Sequence, residues 1–556
     1  MFILHSYQHP MKHFIISLVL IVCSAQVSAQ QNKPDRPKIV VGVVIDQMRY
    51  DYLYRFHDRY GDDGFKRLLS HGFSCENTMI NYIPTFTAPG HACIYTGSVP
   101  AIHGIAGNDW IDNETCTSVY CVEDTSVTAL AGAGKAGLMS PRNLLSSTIA
   151  DELKLATNFR SKVFGISLKD RGAVIPAGHL GNGAYWYDDV SGTLISSTYY
   201  GKELPQWLLN FNNKQQSDSF IRQDWNTLYP LATYTQSSPD DTRYEGTYKG
   251  EQRPVFPHKG NTQGKFSHLR RIPAGNTYTL NAARACIEGE SLGADAITDF
   301  LAVSLSTTDY IGHQFGPNAV EIEDMYLRLD SDLAAFITYL DKKVGEGQYL
   351  LFLTADHGGA HNAQFLRDNN LPGGSGSQPR LAQEISKLLH TDFPLRQSKG
   401  ADLLVAVSND QVYVNEEAIL ANGYELKQIK ARIKHLLERQ PEIAYVLDMS
   451  QTDNAAIPEK IKKMAINGYN RLRSGQLFII YHPGWYAGYS PTGTTHGTWH
   501  PYDAHIPLLW YGWKIPKGTA TRTIHMEDIA ATLAALLRIQ MPNGCIGEVI
   551  SEVVNK

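Results

Sequence analysis

Several things are missing from this chain. Its 50 Lys and Arg are outnumbered by 55 Asp and Glu, a formal net charge of −5, so no basic field exists to hold nucleic acid or an anionic membrane surface. No apolar run reaches the roughly 20 residues that span a bilayer; the one membrane-like stretch, Phe14 to Val22, has about half of that. None of the seven cysteines forms a CxxC pair, which disfavours a thiolate zinc site or a redox motif. Internal repeats are absent, and Gly and Pro are present in ordinary amounts, against collagen or disorder.

What remains is a soluble globular composition, 43% hydrophobic and 19% charged over 556 residues. Length alone suggests three or four domains at roughly 150 residues each. Lys12 ahead of the Phe14 to Val22 run, with Val27, Ser28 and Ala29 after it, has the layout of a signal peptide over residues 1–29. The chain is therefore expected to be exported, periplasmic or secreted, without a stable membrane span. Val22 before Cys23 is too bulky for a lipoprotein site. Export permits disulfides, and Cys116 with Cys121, in the polar stretch NETCTSVYCVED, could staple a loop.

Lys38 to Ile45 (KIVVGVVI) reads as a strand buried on both faces in a parallel sheet. Similar runs recur at Val163 to Ser167, Phe300 to Leu305, Tyr349 to Leu353, Leu477 to Tyr481 and Pro507 to Trp510. Helical patterns lie between several of them, the clearest from Asn318 to Lys342 with Ile322, Met325, Leu329, Leu333, Phe336 and Leu340 three or four apart. Alternation of this kind means an α/β sheet. Two stretches look like insertions, residues 181–277 and 362–468; the second carries short strands near Leu403 to Val407 and Val412 to Val414 and a basic helix from Leu426 to Arg439. The aromatics Tyr185, Trp186, Tyr199 and Trp207 of the first are expected to pack a cap beside the site.

Acidic residues stand just beyond three of these strands, where open α/β sheets place their ligands. Asp46 follows the first; Asp309 follows the Phe300 run and precedes His313 by four residues; Asp356 abuts His357 after the Tyr349 run. A Gly/Thr-rich loop, GTTHGTWHPYD, delivers His496. Any one of these alone reads as a capping Asp or a surface His. Together, three carboxylates and three imidazoles suffice for two divalent ions, and mixed Asp/His sets suit zinc, manganese or cobalt better than calcium or magnesium. In NYIPTFTAPGHACIYTG, Thr87 precedes Pro89 and a helix running to Tyr95. It is either an ordinary N-cap or a metal-activated alkoxide nucleophile beside anion-favouring helix amides. AGAGKAG, residues 131–137, imitates a P-loop but lacks its first Gly and its Ser/Thr, and reads as a flexible loop.

The order Asp46, Thr87, Asp309-x3-His313, Asp356-His357, His496 resembles the alkaline phosphatase superfamily. TFTAPGHACIYTG, HGIAGNDW and SLKDRGAVIPAGH are similar to the exported, monomeric, phosphate-irrepressible alkaline phosphatases of its type I phosphodiesterase/nucleotide pyrophosphatase-like branch. The resemblance runs from about Val41 to the C-terminal MEDIAATLAALL helix. It implies a three-layer α/β sandwich with a central, mostly parallel sheet, helices on both faces and cap insertions, forming a single catalytic domain over residues 30–556. It implies two Zn²⁺ per chain: Asp309, His313 and His496 hold the ion that stabilises the leaving oxygen, and Asp46, Asp356 and His357 hold the ion that activates Thr87. A phosphothreonine then forms on Thr87 and is hydrolysed by water.

Charge selects among substrates. Two Zn²⁺ against Asp46, Asp309, Asp356 and a Thr87 alkoxide leave the site near neutral, too little for a monoester dianion. Lys169 and Arg171, alternate residues after the Val163 strand, project to one side if that segment stays extended and supply the missing positive charge; Arg171 can fork onto two phosphate oxygens and Asn108 can donate another hydrogen bond. In the resembled phosphatases the matching Asn, Lys and Arg bind phosphate, and diesterase relatives lack the Lys/Arg pair. The expectation is a phosphomonoesterase acting on small phosphate monoesters, with a phosphodiesterase or nucleotide pyrophosphatase as the alternative. A sulfatase is disfavoured by Thr87 and His91 at its motif positions, a phosphoglycerate-mutase-like enzyme by the Thr nucleophile and export signal, and a non-catalytic glycan or metal binder by the intact site.

Overall fold

The computed structural model describes residues 35–132, 134–261, 264–396, 402–488 and 491–554. The expected signal peptide and Cys23 lie outside them. Ten strands form the central sheet: β1 (Ile39–Ile45), β2 (Phe73–Cys75), β3 (Ala129–Leu130), β4 (Val163–Ser167), β5 (Gly183–Asp188), β6 (Thr193–Ser197), β7 (Asp299–Leu305), β8 (Tyr349–Thr354), β9 (Leu508–Gly512) and β10 (Gly518–Ala520), in the order β10-β2-β9-β8-β1-β7-β4-β5-β6-β3. The five strands from β8 to β5 run parallel, and helices pack around the sheet. Every residue of β1, β7 and β8 is buried, as continuous apolar runs require when both faces are covered. The Ile45↔Leu305 and Val44↔Thr354 registers align the C-terminal ends of these strands. That alignment sets the residues following each strand side by side.

Four helices matter to the site: α1 (Thr87–Thr96), α2 (Asp170–Ala177), α3 (Thr307–Phe315) and α4 (Val320–Leu340). The six apolar residues expected to line α4 are all buried, and past Leu340 the chain continues as a π turn, Asp341–Gly345.

The structure departs from the sequence reading at several points. Leu508–Gly512 joins the sheet antiparallel. Leu477–Tyr481 does not join it at all; it is an inner strand of a separate antiparallel sheet with Leu404–Ser408, Gln411–Val414 and Ile443–Asp448. Its run is continuously apolar because Leu477, Ile479 and Tyr481 face one hydrophobic cluster while Phe478 and Ile480 face the main core. Within the stretch read as the first insertion, β5 and β6 complete the central sheet, so Tyr185 and Trp186 pack in it rather than in a cap. Trp207 bonds Glu290 at 2.7 Å and Tyr199 is exposed. Cys116 and Cys121 are both free: Cys121 is buried beside Trp110 and Val122, Cys116 sits in a turn, and ladder pairing of Asp109–Ile111 with Ser118–Tyr120 closes the loop instead.

Candidate active site

Asp46, the first residue after β1, is fully buried, and its backbone carbonyl accepts from Thr308 Oγ1 at 2.5 Å, tying it to α3. Asp309 lies in the first turn of α3 and His313 one turn on, so both project from one face. Asp356 and His357 follow β8. Each of two groups, Asp309/His313/His496 and Asp46/Asp356/His357, brings its ligand atoms within 4.8 Å of one another. The groups abut, for the rings of His357 and His496 stack with centroids 3.5 Å apart.

All three imidazoles are oriented alike. Nδ1 of His313 is 2.8 Å from Thr494 O, that of His357 is 2.9 Å from Gly358 O and that of His496 is 2.8 Å from Thr85 O. A carbonyl can only accept, so each Nδ1 carries the proton and each Nε2 presents its lone pair inward, the tautomer a metal needs. Among the described residues Asp46 Oδ1 and Asp356 Oδ2 are buried without hydrogen-bond partners, an expensive condition for a carboxylate that a cation would relieve. The donor set and the unpartnered oxygens fit a divalent ion in each group.

The electrostatics agree. Burial, then the nearby Asp356 charge, pushes Asp46 well above the usual carboxylate range. Burial would raise Asp309 too, but His313 and Lys169 overcome it and hold it well below that range. Burial, followed by His357 and His313, drives His496 well below the ordinary imidazole value, which favours the neutral, ligating form.

Thr87 is the first residue of α1. Phe86 occupies the N-cap position without a side-chain cap bond, so Thr87 is not the capping residue. Its Oγ1 lies 3.3 Å from Lys169 Nζ and 3.4 Å from His357 Nε2, at a depth where only 1% of the residue is exposed. Lys169 Nζ also bonds Asp46 Oδ2 at 2.7 Å and Asp309 Oδ2 at 2.6 Å, bridging the two groups. Asn108 Oδ1 accepts from Ala88 N at 2.9 Å, anchoring the amide start of α1.

The chain does not stay extended after β4, as the sequence reading assumed: Lys169 is the N-cap of α2 and Arg171 lies in its first turn. Both side chains nevertheless line one cleft of about 390 Å³ with Tyr120 and Tyr310. Arg171 Nη1 is held by Tyr120 Oη at 3.0 Å, and Tyr120 in turn bonds Asp170 at 2.5 Å.

The sequence profile of the type I phosphodiesterase / nucleotide pyrophosphatase family matches residues 40–503. The chain belongs to that family. Similar members include a protein of Myroides odoratus named a calcium-transporting ATPase, 48% identical over 98% of this chain and 100% of the relative. Alkaline phosphatase PhoV of Synechococcus elongatus is 48% identical over 98% of this chain and 99% of its own. The crystal structure of wild-type alkaline phosphatase PafA superposes with a TM-score of 0.91 at 47% identity, covering 94% of this chain and 100% of that one. A solved PafA variant carries changes at a threonine, an asparagine, a lysine and an arginine. The Thr-to-Asn and Lys-to-Arg separations there equal those of Thr87 to Asn108 and Lys169 to Arg171 here.

Two residues of this family member's site escaped the sequence reading. Gln47, at a positive φ of 61°, donates from Nε2 to Asp309 Oδ1 at 2.7 Å and from its backbone N to Asp356 Oδ1 at 3.2 Å. It thereby orients one carboxylate of each group. His91 is fully buried, with Nδ1 2.9 Å from Thr87 O and Nε2 2.9 Å from Ser304 Oγ. Polarity inside otherwise apolar motifs, directly after Asp46 and four residues past Thr87, was the available signal.

Proposed function

We propose that the chain is an exported, monomeric, zinc-dependent alkaline phosphatase that releases inorganic phosphate from small phosphate monoesters through a phosphothreonine on Thr87. One observation carries the reading: the Thr87 hydroxyl is buried between Lys169 Nζ and His357 Nε2, where the two metal-capable groups meet. Asp309, His313 and His496 would hold one zinc and Asp46, Asp356 and His357 the other. Bound there, zinc would lower the pKa of the Thr87 hydroxyl and offset charge on the leaving oxygen. Thr87 Oγ1 attacks phosphorus in line, the P–O bond to the alcohol breaks and the alcohol leaves with a proton. Water then attacks the phosphothreonine from the vacated side and frees phosphate.

Monoesters are favoured over diesters by charge. Two Zn²⁺ would balance three aspartates and a Thr87 alkoxide, so the dianion would rely on Lys169, which has carboxylate partners to exchange for phosphate, and on Arg171, fixed by Tyr120. Asn108 Oδ1 is occupied by Ala88 N, which directs Nδ2 to serve as the donor. The names of the PhoV and PafA relatives support this reading. The phosphodiesterase alternative draws on the family name. Transport, named for the Myroides relative, has no such support: among the described residues no helix is long and apolar enough to cross a membrane. ATP hydrolysis itself falls within the proposed chemistry, because ATP ends in the same dianionic phosphoryl group. The signal-like residues 1–29 support export.

The test is kcat/KM on 4-nitrophenyl phosphate and on bis(4-nitrophenyl) phosphate for the wild type and Thr87→Ala. The monoester should dominate in the wild type, and the variant should lose at least about 10³-fold, in the range of a lost nucleophile. Unchanged turnover by the variant would sink the nucleophile, and diester dominance would sink the monoesterase reading.

A further inference from the structure

A second cleft, of about 590 Å³, opens from His313, whose side chain is 36% exposed, and is bordered by Gly246, Thr247, Arg271, Gln314 and Gly493. Its volume suits a small organic molecule. It shares no lining residue with the cleft of Lys169 and Arg171; the Tyr310 ring stands between, with Lys169 Nζ 5.2 Å and Arg271 Cζ 5.9 Å from its centroid. A third, smaller cleft, of about 280 Å³ beside His496, presents Phe86, Val407 and the carboxyl of Asp410.

The charges in the 590 Å³ cleft are unusual. Its lining contains no carboxylate, and Arg271 is its one permanent charge. Arg270 and Arg271 are adjacent but differently employed. Arg270 is neutralised by Asp189 at 2.6 Å and bonds the carbonyls of Leu168 and Tyr187. Arg271 has no ion pair among the described residues; Nη1 donates only to Gln314 Oε1 at 3.2 Å. Gln314 Nε2 is buried and has no hydrogen-bond partner among the described residues. An exposed guanidinium with neutral neighbours is a receptor for an anionic oxygen group.

We propose that Arg271, positioned by Gln314 Oε1, forms a subsite for a second anionic group, a carboxylate or a further phosphate, on the alcohol portion of the monoester. The inference rests on the phosphatase reading above: with phosphate held toward Lys169 and Arg171 and the leaving oxygen toward Asp309, His313 and His496, the alcohol portion departs past the exposed edge of His313 into this cleft. Arg271 is therefore a specificity residue, and esters with anionic alcohols are preferred over otherwise identical neutral ones.

3-Phosphoglycerate and glycerol 3-phosphate differ only in a carboxylate in place of a hydroxymethyl group, and the ratio of their kcat/KM values isolates the subsite. Arg271→Ala should lower that ratio by about tenfold, equivalent to about 1.4 kcal/mol; Arg271→Lys should restore part of it, and Arg271→Glu should lower it further. The side chain is exposed, and equal thermal midpoints would verify the fold of each variant. A ratio that stays at the wild-type value in Arg271→Ala and Arg271→Glu, with both esters turned over, would overturn the subsite alone. Failure of the wild type to hydrolyse either ester would overturn the phosphatase reading and the subsite together.

Discussion

Glu245→Gln probes the buried charge network beneath the 590 Å³ cleft. Glu245 is only 3% exposed, and among the described residues neither of its carboxylate oxygens has a hydrogen-bond partner; burial, and then the neighbouring Glu321, pushes its pKa up to about 9. The folded protein therefore holds a proton that the unfolded chain releases. Stability from that proton is complete below the ordinary glutamate pKa and is lost as pH rises toward 9. From pH 7 to the folded value, two pH units at about 1.36 kcal/mol each remove about 2.7 kcal/mol. For the 520-residue unit Pro37–Lys556, an unfolding entropy of about 2.1 cal/mol/K per residue, about 1.1 kcal/mol/K in total, converts this into roughly 2.5 °C. Glutamine matches the protonated acid in size and has no proton to lose. The wild type should already melt below the variant at pH 7, and its midpoint should fall about 2–3 °C further relative to the variant by pH 10 in scanning fluorimetry. His258 adds a loss of the same sign: burial alone would lower it, but bonds to Glu251 and Glu321 raise it to about 9. Since both proteins keep His258, their difference reads Glu245. Parallel melting curves across this range would refute the reasoning. The network has a functional side, because the segment it anchors bonds the cleft wall through Gly246 N to Gln314 O at 2.8 Å and Gly493 N to Tyr244 O at 2.7 Å.

Two further predictions concern the site itself. Chelation should abolish hydrolysis and lower the thermal midpoint, since three buried aspartates face one lysine once the ions leave; two ions each bound at 100 times Kd contribute about 2.7 kcal/mol apiece, roughly 5 °C in all. Zinc should restore both activity and midpoint at two ions per chain by elemental analysis, and a midpoint indifferent to the chelator would contradict the two-ion assignment. Gly90→Ala should damage the site from behind, because a Cβ there would lie 2.5 Å from Asp356 O and 2.7 Å from Asp356 Cβ. Helix α1 would have to back away from the end of β8. A displacement near 1 Å costs about 10²-fold in turnover, so wild-type kcat on 4-nitrophenyl phosphate would rule the packing argument out.

Much of this site was legible because parallel strands covered on both faces are written as unbroken apolar runs, and the polar residues that end them stand out. Asp46, Asp309 and Asp356 were visible for that reason, and β4 ends at the residue expected. The same rule misplaced Leu477–Tyr481, since a strand sandwiched between two separate cores is equally apolar on both faces. Lys169 and Arg171 line one cleft although the chain turns into α2 there, because an N-cap residue and the residue two positions on in the first turn can also point into one opening.

What stayed hidden depends on partners distant in sequence. Gln47 earns its role only from Asp309 and Asp356, 262 and 309 residues away, and Arg271 is distinguished from Arg270 only by the lack of a counterpart to Asp189. The histidines show the limit most clearly. Nε2 faces inward in His313, His357 and His496 because three backbone carbonyls, those of Thr494, Gly358 and Thr85, accept from Nδ1. Any residue type supplies a carbonyl, so the atoms that select the ligating tautomer have no sequence signature of their own. They are placed by the loops after β8 and before β9 and by the approach to α1. The identities of the ligands are thus local properties of the sequence, while their readiness to bind is a property of the fold.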